Sequence, residues 1–260
     1  MILPSLENFK KLSSKGNLIP VYKKIKINVE NPSMLLKKIQ DEENIYLLES
    51  YEGPKKWSRY SFMGFNPKYI FSSFENKIKI SGTNKSKQIT GCPFDELKKI
   101  IKKYKPVKSK TLPRFYGGFV GFFSYEIISQ IERIPRFKKD DINFPDCNFM
   151  FSDSLVIFDN LKKSAKVVVN IEVTKKNDLN KLYLKAIKKI ELIEKKLNLE
   201  SDTNPLTKFN SNKNKIRSNF KPIDFERNVK KIKDYVIKGD VIQAVISQRW
   251  KTKYKHNPID

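Results

Sequence analysis

Residues 45–63 read IYLLESYEGPKKWSRYSFM. Each end of this stretch is rich in aromatic and branched side chains. Between them, Glu52-Gly53-Pro54-Lys55 has turn chemistry. The pattern predicts two strands, 45–51 and 57–63, joined as a hairpin. Such a hairpin carries an acid, a hydroxyl and an arginine (Glu49, Ser50 and Arg59) on paired strands beside apolar side chains. A small amino acid needs that set. A carboxylate meets its ammonium, a cation or hydroxyl meets its carboxylate, and an apolar slot takes its side chain. On chemistry alone, a surface ion pair on a hairpin is the plainer account of the same residues.

Outward from the hairpin, residues 67–74 and 77–81 predict a second hairpin turning at Glu75-Asn76. Upstream, Asn31-Pro32 caps a helix continuing through Met34, Leu35, Leu36 and Ile39, with proline at its first position. Downstream, Phe94, Leu97, Ile101 and Tyr104 step at helical spacing after Pro93. Residues 115–124, 153–158 and 166–173 are strand candidates. Leu179, Leu182, Ala186, Ile190, Ile193 and Leu197 define a long amphipathic helix. Residues 200–222 are poor in apolar side chains and rich in Ser, Asn, Lys and Pro, as a linker is. Phe225, Val229, Ile232 and Val236 then predict a helix stopped by Gly239, and residues 240–250 (DVIQAVISQRW) predict a strand. The expected domains are residues 1–200, a linker over 201–222, and a second domain beginning at 223 and truncated at 260.

The 260 residues carry a formal charge of +25, which invites a polyanion partner. However, arginine, the residue suited to bidentate recognition, occurs at only seven positions. The lysines lie mostly on polar faces of helical patterns, as solvated surface does. The motif Tyr116–Phe122 (YGGFVGF) matches the second half of an RNA-binding strand signature and fails its basic first half. Its glycines fit close backbone approach to a buried aromatic strand better. No uncharged run is long enough to span a membrane, and the N-terminus has no long apolar core of a secretory signal. Two cysteines, Cys92 and Cys147, cannot build a disulfide framework, which points to a reducing cytoplasmic setting. A single histidine, His256, excludes a His-rich metal site.

Several segments together resemble one family. The stretch LLESYEGPKKWSRYSFMGFNP, residues 47–67, is similar to the LLES…W.RYS segment of anthranilate synthase component I, a chorismate-utilising enzyme. So is Gly16–Tyr22 (GNLIPVY), which is like that family's G-N-x-I-P-V. Gly117–Pro135 (GGFVGFFSYEIISQIERIP) resembles its GG.VG…Y(D/E)…E.(L/I)P pattern, and Gly239–Trp250 (GDVIQAVISQRW) its G(D/E)IFQVV.SQRF. Ile242 and Trp250 stand where that pattern has phenylalanine. The segments keep the family's order and run from Gly16 to the end.

The resemblance implies an α+β fold of antiparallel-rich packed β-sheets with outer helices. It implies conversion of chorismate and ammonia to anthranilate and pyruvate, with Mg²⁺ as cofactor and a glutamine amidotransferase subunit as ammonia-supplying partner. It assigns Glu49 and Ser50, and with them Arg59, to a tryptophan feedback pocket. Gln243 falls where amine-adding members carry glutamine and water-adding members a lysine base, and is the expected substrate-pocket residue. Glutamine can position ammonia or a substrate hydroxyl without activating water as a base would. Family chains are about twice this length. Their Mg²⁺ carboxylates and acid–base residues lie in the C-terminal half, so no catalytic residue or metal ligand is expected within these 260 residues, and no activity of the chain alone. The nearest alternative is the first component of aminodeoxychorismate synthase; an alternative of another class is a basic RNA-binding module.

Overall fold

The computed structural model describes residues 1–27, 31–50, 59–82, 86–134, 142–199, 216–254 and 259. The opening hairpin forms from strand β3 (Tyr46–Leu48) and strand β4 (Tyr60–Gly64), antiparallel with Leu48 opposite Phe62. The expected turn at 52–55 lies outside the described residues. In chain order, β1 (Ile2–Leu3), α1 (Leu6–Leu12) and β2 (Leu18–Ile25) precede this hairpin. It is followed by β5 (Tyr69–Phe74), β6 (Lys77–Gly82), β7 (Ser86–Thr90), α2 (Pro93–Lys102), β8 (Gly118–Phe123), β9 (Cys147–Ser152), β10 (Ser154–Asp159), β11 (Ser164–Glu172) and α3 (Leu179–Asn198). Two 3₁₀ helices, Pro32–Ile39 and Tyr125–Gln130, complete this first unit, Met1–Ser201. The segment capped by Asn31 is therefore a 3₁₀ helix, with Asn31 accepting from the Ser33 N–H as its cap.

Among the described residues, every pair of named strands is antiparallel. One sheet has six strands in the order β1-β2-β11-β10-β4-β3, the other five in the order β7-β6-β5-β9-β8. The chain passes between them twice, from β4 to β5 and from β9 to β10. The expected α+β class, antiparallel sheets with outer helices, is the observed one.

The six-stranded sheet is apolar on both faces, and period-two alternation separates them. Ile19, Val21, Val156, Phe158, Val167 and Val169 point into the main core, which α3 closes with Ala186, Ile190, Ile193 and Leu197. Their neighbours Tyr22, Leu155, Ile157 and Val168 point the other way, into a smaller cluster joined by Leu112, Phe115 and Tyr116. Lys23 and Glu194 tie β2 to α3 at 2.5 Å. The five-stranded sheet has its own cluster of Phe71, Ile78, Leu97, Ile127 and Cys147. Its central hairpin turns as expected, with Glu75 in a left-handed conformation at φ 53°.

The second unit is Asp202–Asp260. Helix α4 (Pro222–Lys238) ends at Gly239, whose φ of 80° explains the glycine. The expected strand at 240–250 is mostly absent. Only Trp250–Lys251 pair, as β13, with β12 at Arg217–Ser218, inside the stretch read as linker. A strand needs a ladder partner. Arg217–Ser218 supply a two-residue one, anchored by the Arg249 N–H donating to Asn219 Oδ1 at 2.8 Å. Residues 241–249 have no other partner strand among the described residues. Its apolar side chains stay open to solvent: Ile242 is 99% exposed and Val245 83%.

Candidate functional site

Two places hold the residues singled out by sequence, one in each unit. The first is the open end of the β3–β4 hairpin. Glu49 and Ser50 follow directly on β3, and Arg59 precedes β4. Pairing continues past the strand as side-chain contact. The Ser50 N–H donates to Ser61 Oγ at 3.4 Å, and Asn160 Nδ2 donates to the same Oγ at 3.2 Å and to the Ser50 carbonyl at 3.5 Å. Ser61 is fully buried. Ser50 is thereby held by its backbone.

Arg59 is not paired with Glu49. Its Nε and one terminal nitrogen grip both oxygens of Asp159, at 3.1 and 2.8 Å, and its guanidinium lies 4.8 Å from the Tyr60 ring centre. The hydrogen bonds it donates to Asp159 raise the Arg59 pKa. Partial burial pulls the Asp159 carboxyl upward. Arg59 and the Lys162 N–H outweigh it, and the net shift is downward. Glu49 is exposed. The structure therefore brings Ser50 and Arg59 to one end of the hairpin, but it fixes Arg59 through the β10 end. Asp159, Asn160 and Ser61 were not singled out by sequence. The signal available for two of them was Asp-Asn closing an apolar run, a turn signature.

Beneath the hairpin, Tyr46 and Ser152 are hydrogen-bonded at 2.6 Å. Ser152 also donates to the Ser154 carbonyl at 3.1 Å, so the Tyr46 hydroxyl is the donor to Ser152. Burial pushes the Tyr46 phenol up to about 12. Gly64 is required here, because a Cβ would sit 2.4 Å from the Tyr46 ring.

The second place is a groove of ≈ 650 Å³ within the second unit. Phe225, Val229, Ile232 and Val236 of α4 form one wall, and residues 242–246 the other, with Gln243 among them. Gln243 is exposed in this unit. It thus sits in an open, largely apolar concavity with one amide to offer, enough to orient a polar group but not to transfer a proton. Among the described residues, no three His, Cys, Asp or Glu side chains come together as metal ligands would. The groups described do not fit a Mg²⁺ site.

The aromatic strand β8 serves packing. Phe119 lies 5.1 Å from Phe151, Phe122 stacks on Phe144 at 4.8 Å, and Phe123 meets Phe149 edge-on at 4.7 Å. These rings are occupied by protein rings, unlike those of an open stacking platform for bases. The strand is half-buried where full burial was expected, because it is the edge of its sheet. Gly121 does admit neighbouring backbone: a Cβ there would lie 1.9 Å from the Asn148 carbonyl oxygen.

The antiparallel sheets agree with the fold of a solved relative. Residues 44–260 match the family model described as chorismate binding enzyme, and the chain belongs to that family. It is 35% identical over 266 residues to anthranilate synthase component 1 of Acetivibrio thermocellus, covering 100% of this chain and 53% of that protein. It is 36% identical over 258 residues to anthranilate synthase component 1 of Aquifex aeolicus, covering 98% of this chain and 52% of that one. The crystal structure of anthranilate synthase component I from Streptococcus pneumoniae superposes with a TM-score of 0.61 at 23% identity, over 91% of this chain and 50% of that one, and shares the fold. The chain spans about half the length of the curated relatives it matches. No helix among the described residues is long and apolar enough to cross a membrane.

Proposed function

We propose that this polypeptide is the first half of an anthranilate synthase component I. It acts with sequence equivalent to its relatives' second half to convert chorismate and ammonia into anthranilate, pyruvate and water. Ammonia comes from glutamine through a glutamine amidotransferase subunit, and Mg²⁺ binds to carboxylates of the second half. The observation that carries the reading is identity of 35% to a component 1 enzyme along the whole chain, against 53% of that enzyme's length. The structure agrees in kind. The first unit has closed cores, and the second offers Gln243 in an apolar groove that further chain would complete. Tryptophan binds at the hairpin end, with its ammonium on Glu49 and its carboxylate on the Ser50 hydroxyl. Arg59, engaged with Asp159, fixes the hairpin in the binding shape.

The test is a turnover assay with chorismate, ammonium and Mg²⁺. The 260-residue chain alone gives no anthranilate. The same chain produced together with the second half of the Acetivibrio thermocellus relative forms it, and tryptophan inhibits that activity. Ser50→Phe fills the pocket and abolishes the inhibition while turnover persists. Anthranilate formation by the chain alone would refute the division of labour, and unchanged inhibition in Ser50→Phe would remove the feedback assignment.

A further inference from the structure

The face of the six-stranded sheet turned away from α3 carries a row of side chains across four strands. Lys24 of β2 lies opposite Lys166 of β11, Lys166 opposite Ile157 of β10, and Ile157 opposite Phe62 of β4. Ile157 and Phe62 belong to the small apolar cluster on that face. Among the described residues, Lys24 and Lys166 are the only directly opposed cations in the first unit's ladders. Like charges so placed destabilise a sheet, so the pair calls for a reason.

Lys166 is the half-buried member of the pair, and Lys24 the exposed one. Lys166 Nζ donates to the Thr111 carbonyl at 2.6 Å and lies 5.9 Å from the Tyr22 ring centre. Among the described residues it has no ion pair. The charges around it come from every neighbouring element: Lys24 on β2, Lys162 in the β10–β11 turn, Arg59 before β4, and Asp159 at the end of β10. Asp159 is the one carboxylate of this set, and Arg59 already grips both its oxygens at 3.1 and 2.8 Å. Burial first, and then Lys162, Lys24 and Arg59, hold the Lys166 ammonium below the ordinary lysine pKa, and Asp159 offsets only part of this.

We propose that Lys166 is a modification site, which takes an acyl group from a small acyl phosphate. The cluster meets both needs of that donor. Lys24 and Lys162 are exposed beside the amine and attract the phosphate. Partial desolvation next to other cations leaves more of the amine unprotonated and nucleophilic. The ammonium gives one proton to water, and the free Nζ attacks the acyl carbon. A C–N bond forms, the acyl C–O bond breaks, and phosphate leaves with the electron pair and takes up the second proton. The amide that results keeps one N–H for the Thr111 carbonyl, and the charge opposite Lys24 is gone. The modification needs neither chorismate nor tryptophan, so it stands apart from the proposed function.

The experiment treats the 260-residue chain with acetyl phosphate and follows acetylation of each lysine over time by peptide mass spectrometry. At about pH 7.5, Lys166 is expected to react about fivefold faster than the exposed Lys10 and Lys102. Its rate should also fall less than theirs between about pH 9 and about pH 7, because more of the amine stays unprotonated. Lys24→Gln removes a neighbouring cation at an exposed position. It should slow Lys166 about threefold, leave Lys10 and Lys102 unchanged, and leave circular dichroism unaltered. A Lys166 rate equal to or below that of Lys10 and Lys102, a pH profile parallel to theirs, or indifference of Lys166 to Lys24→Gln would each overturn the proposal.

Discussion

Helices α3 and α4 are both amphipathic, with apolar residues recurring three and four apart. Over 20 residues α3 buries Tyr183, Ala186, Ile190, Ile193 and Leu197. Over 17 residues α4 buries none. The same contrast runs through the strands beside them. β11 lies between β2 and β10 and buries Ala165, Val167, Val168 and Val169, whereas residues 241–249 form no strand and leave Ile242 and Val245 open to solvent. Apolar spacing decides which face a helix would bury. Only a partner surface decides whether it does so. In the first unit that partner is a sheet whose six strands come from distant parts of the chain. In the second, among the described residues, α4 faces residues 242–246 across an open groove.

The contrast can be pressed by mutation, and the largest effect should come from the core. Ile190 is fully buried, and Ile190→Ala should lower stability by about 2–5 kcal/mol in urea unfolding, the range for emptying a packed site. The matched change Ile237→Ala, on a side chain 83% exposed, should stay within about 0.5 kcal/mol. Equal costs would erase the distinction between the units. Next in size is dye binding. The double change Ile237→Lys with Ile242→Lys should remove much of the fluorescence gained by an apolar-surface dye, while Leu184→Lys on the exposed side of α3 should not. Tyr46→Phe should cost about 1 kcal/mol, the value of a lost hydrogen bond whose partner Ser152 keeps another.

The smallest effect concerns acid. The Asp159 carboxyl is held below its ordinary value in the folded chain, so its ion pair stabilises fully above the unfolded carboxyl's pKa of about 4. That stabilisation fades as pH falls through the lower, folded value. Arg59→Gln should therefore lower the melting temperature slightly at neutral pH and flatten its fall below pH 4. A steeper fall in the variant would mean that another group carries the acid response.

Much of this fold is legible in the sequence, because local chemistry and tertiary packing agree there. The Glu75-Asn76 hairpin, the long helix α3 and the Gly239 stop each follow from spacing or a turn residue. Several elements are not read there, β2, β9 and the 3₁₀ helix Tyr125–Gln130 among them, and four more leave a weaker trace. β1 and β12 are two residues each, β7 has a single apolar residue, Ile89, and α1 is a short helix whose one buried residue is Phe9. Their existence is settled by neighbours, such as β6 for β7 and β2 for β1. The strand expected over 240–250 fails for the converse reason: its residues suit a strand, but among the described residues the ladder it needs is not supplied. At the hairpin, sequence names Glu49, Ser50 and Arg59 but not the residues holding them. Asp159 and Asn160 lie about a hundred positions further on, and only the β4–β10 register brings them to Arg59 and Ser50.

The central claim is that the first unit is packed and the second is left with an uncovered apolar face. Amide hydrogen exchange on the 260-residue chain tests it most directly, by comparing α3 with α4. The account predicts that the central amides of α3 exchange only through global unfolding, while those of α4 exchange within about tenfold of unprotected peptide rates. Protection in α4 equal to that in α3, in this chain alone, would contradict it.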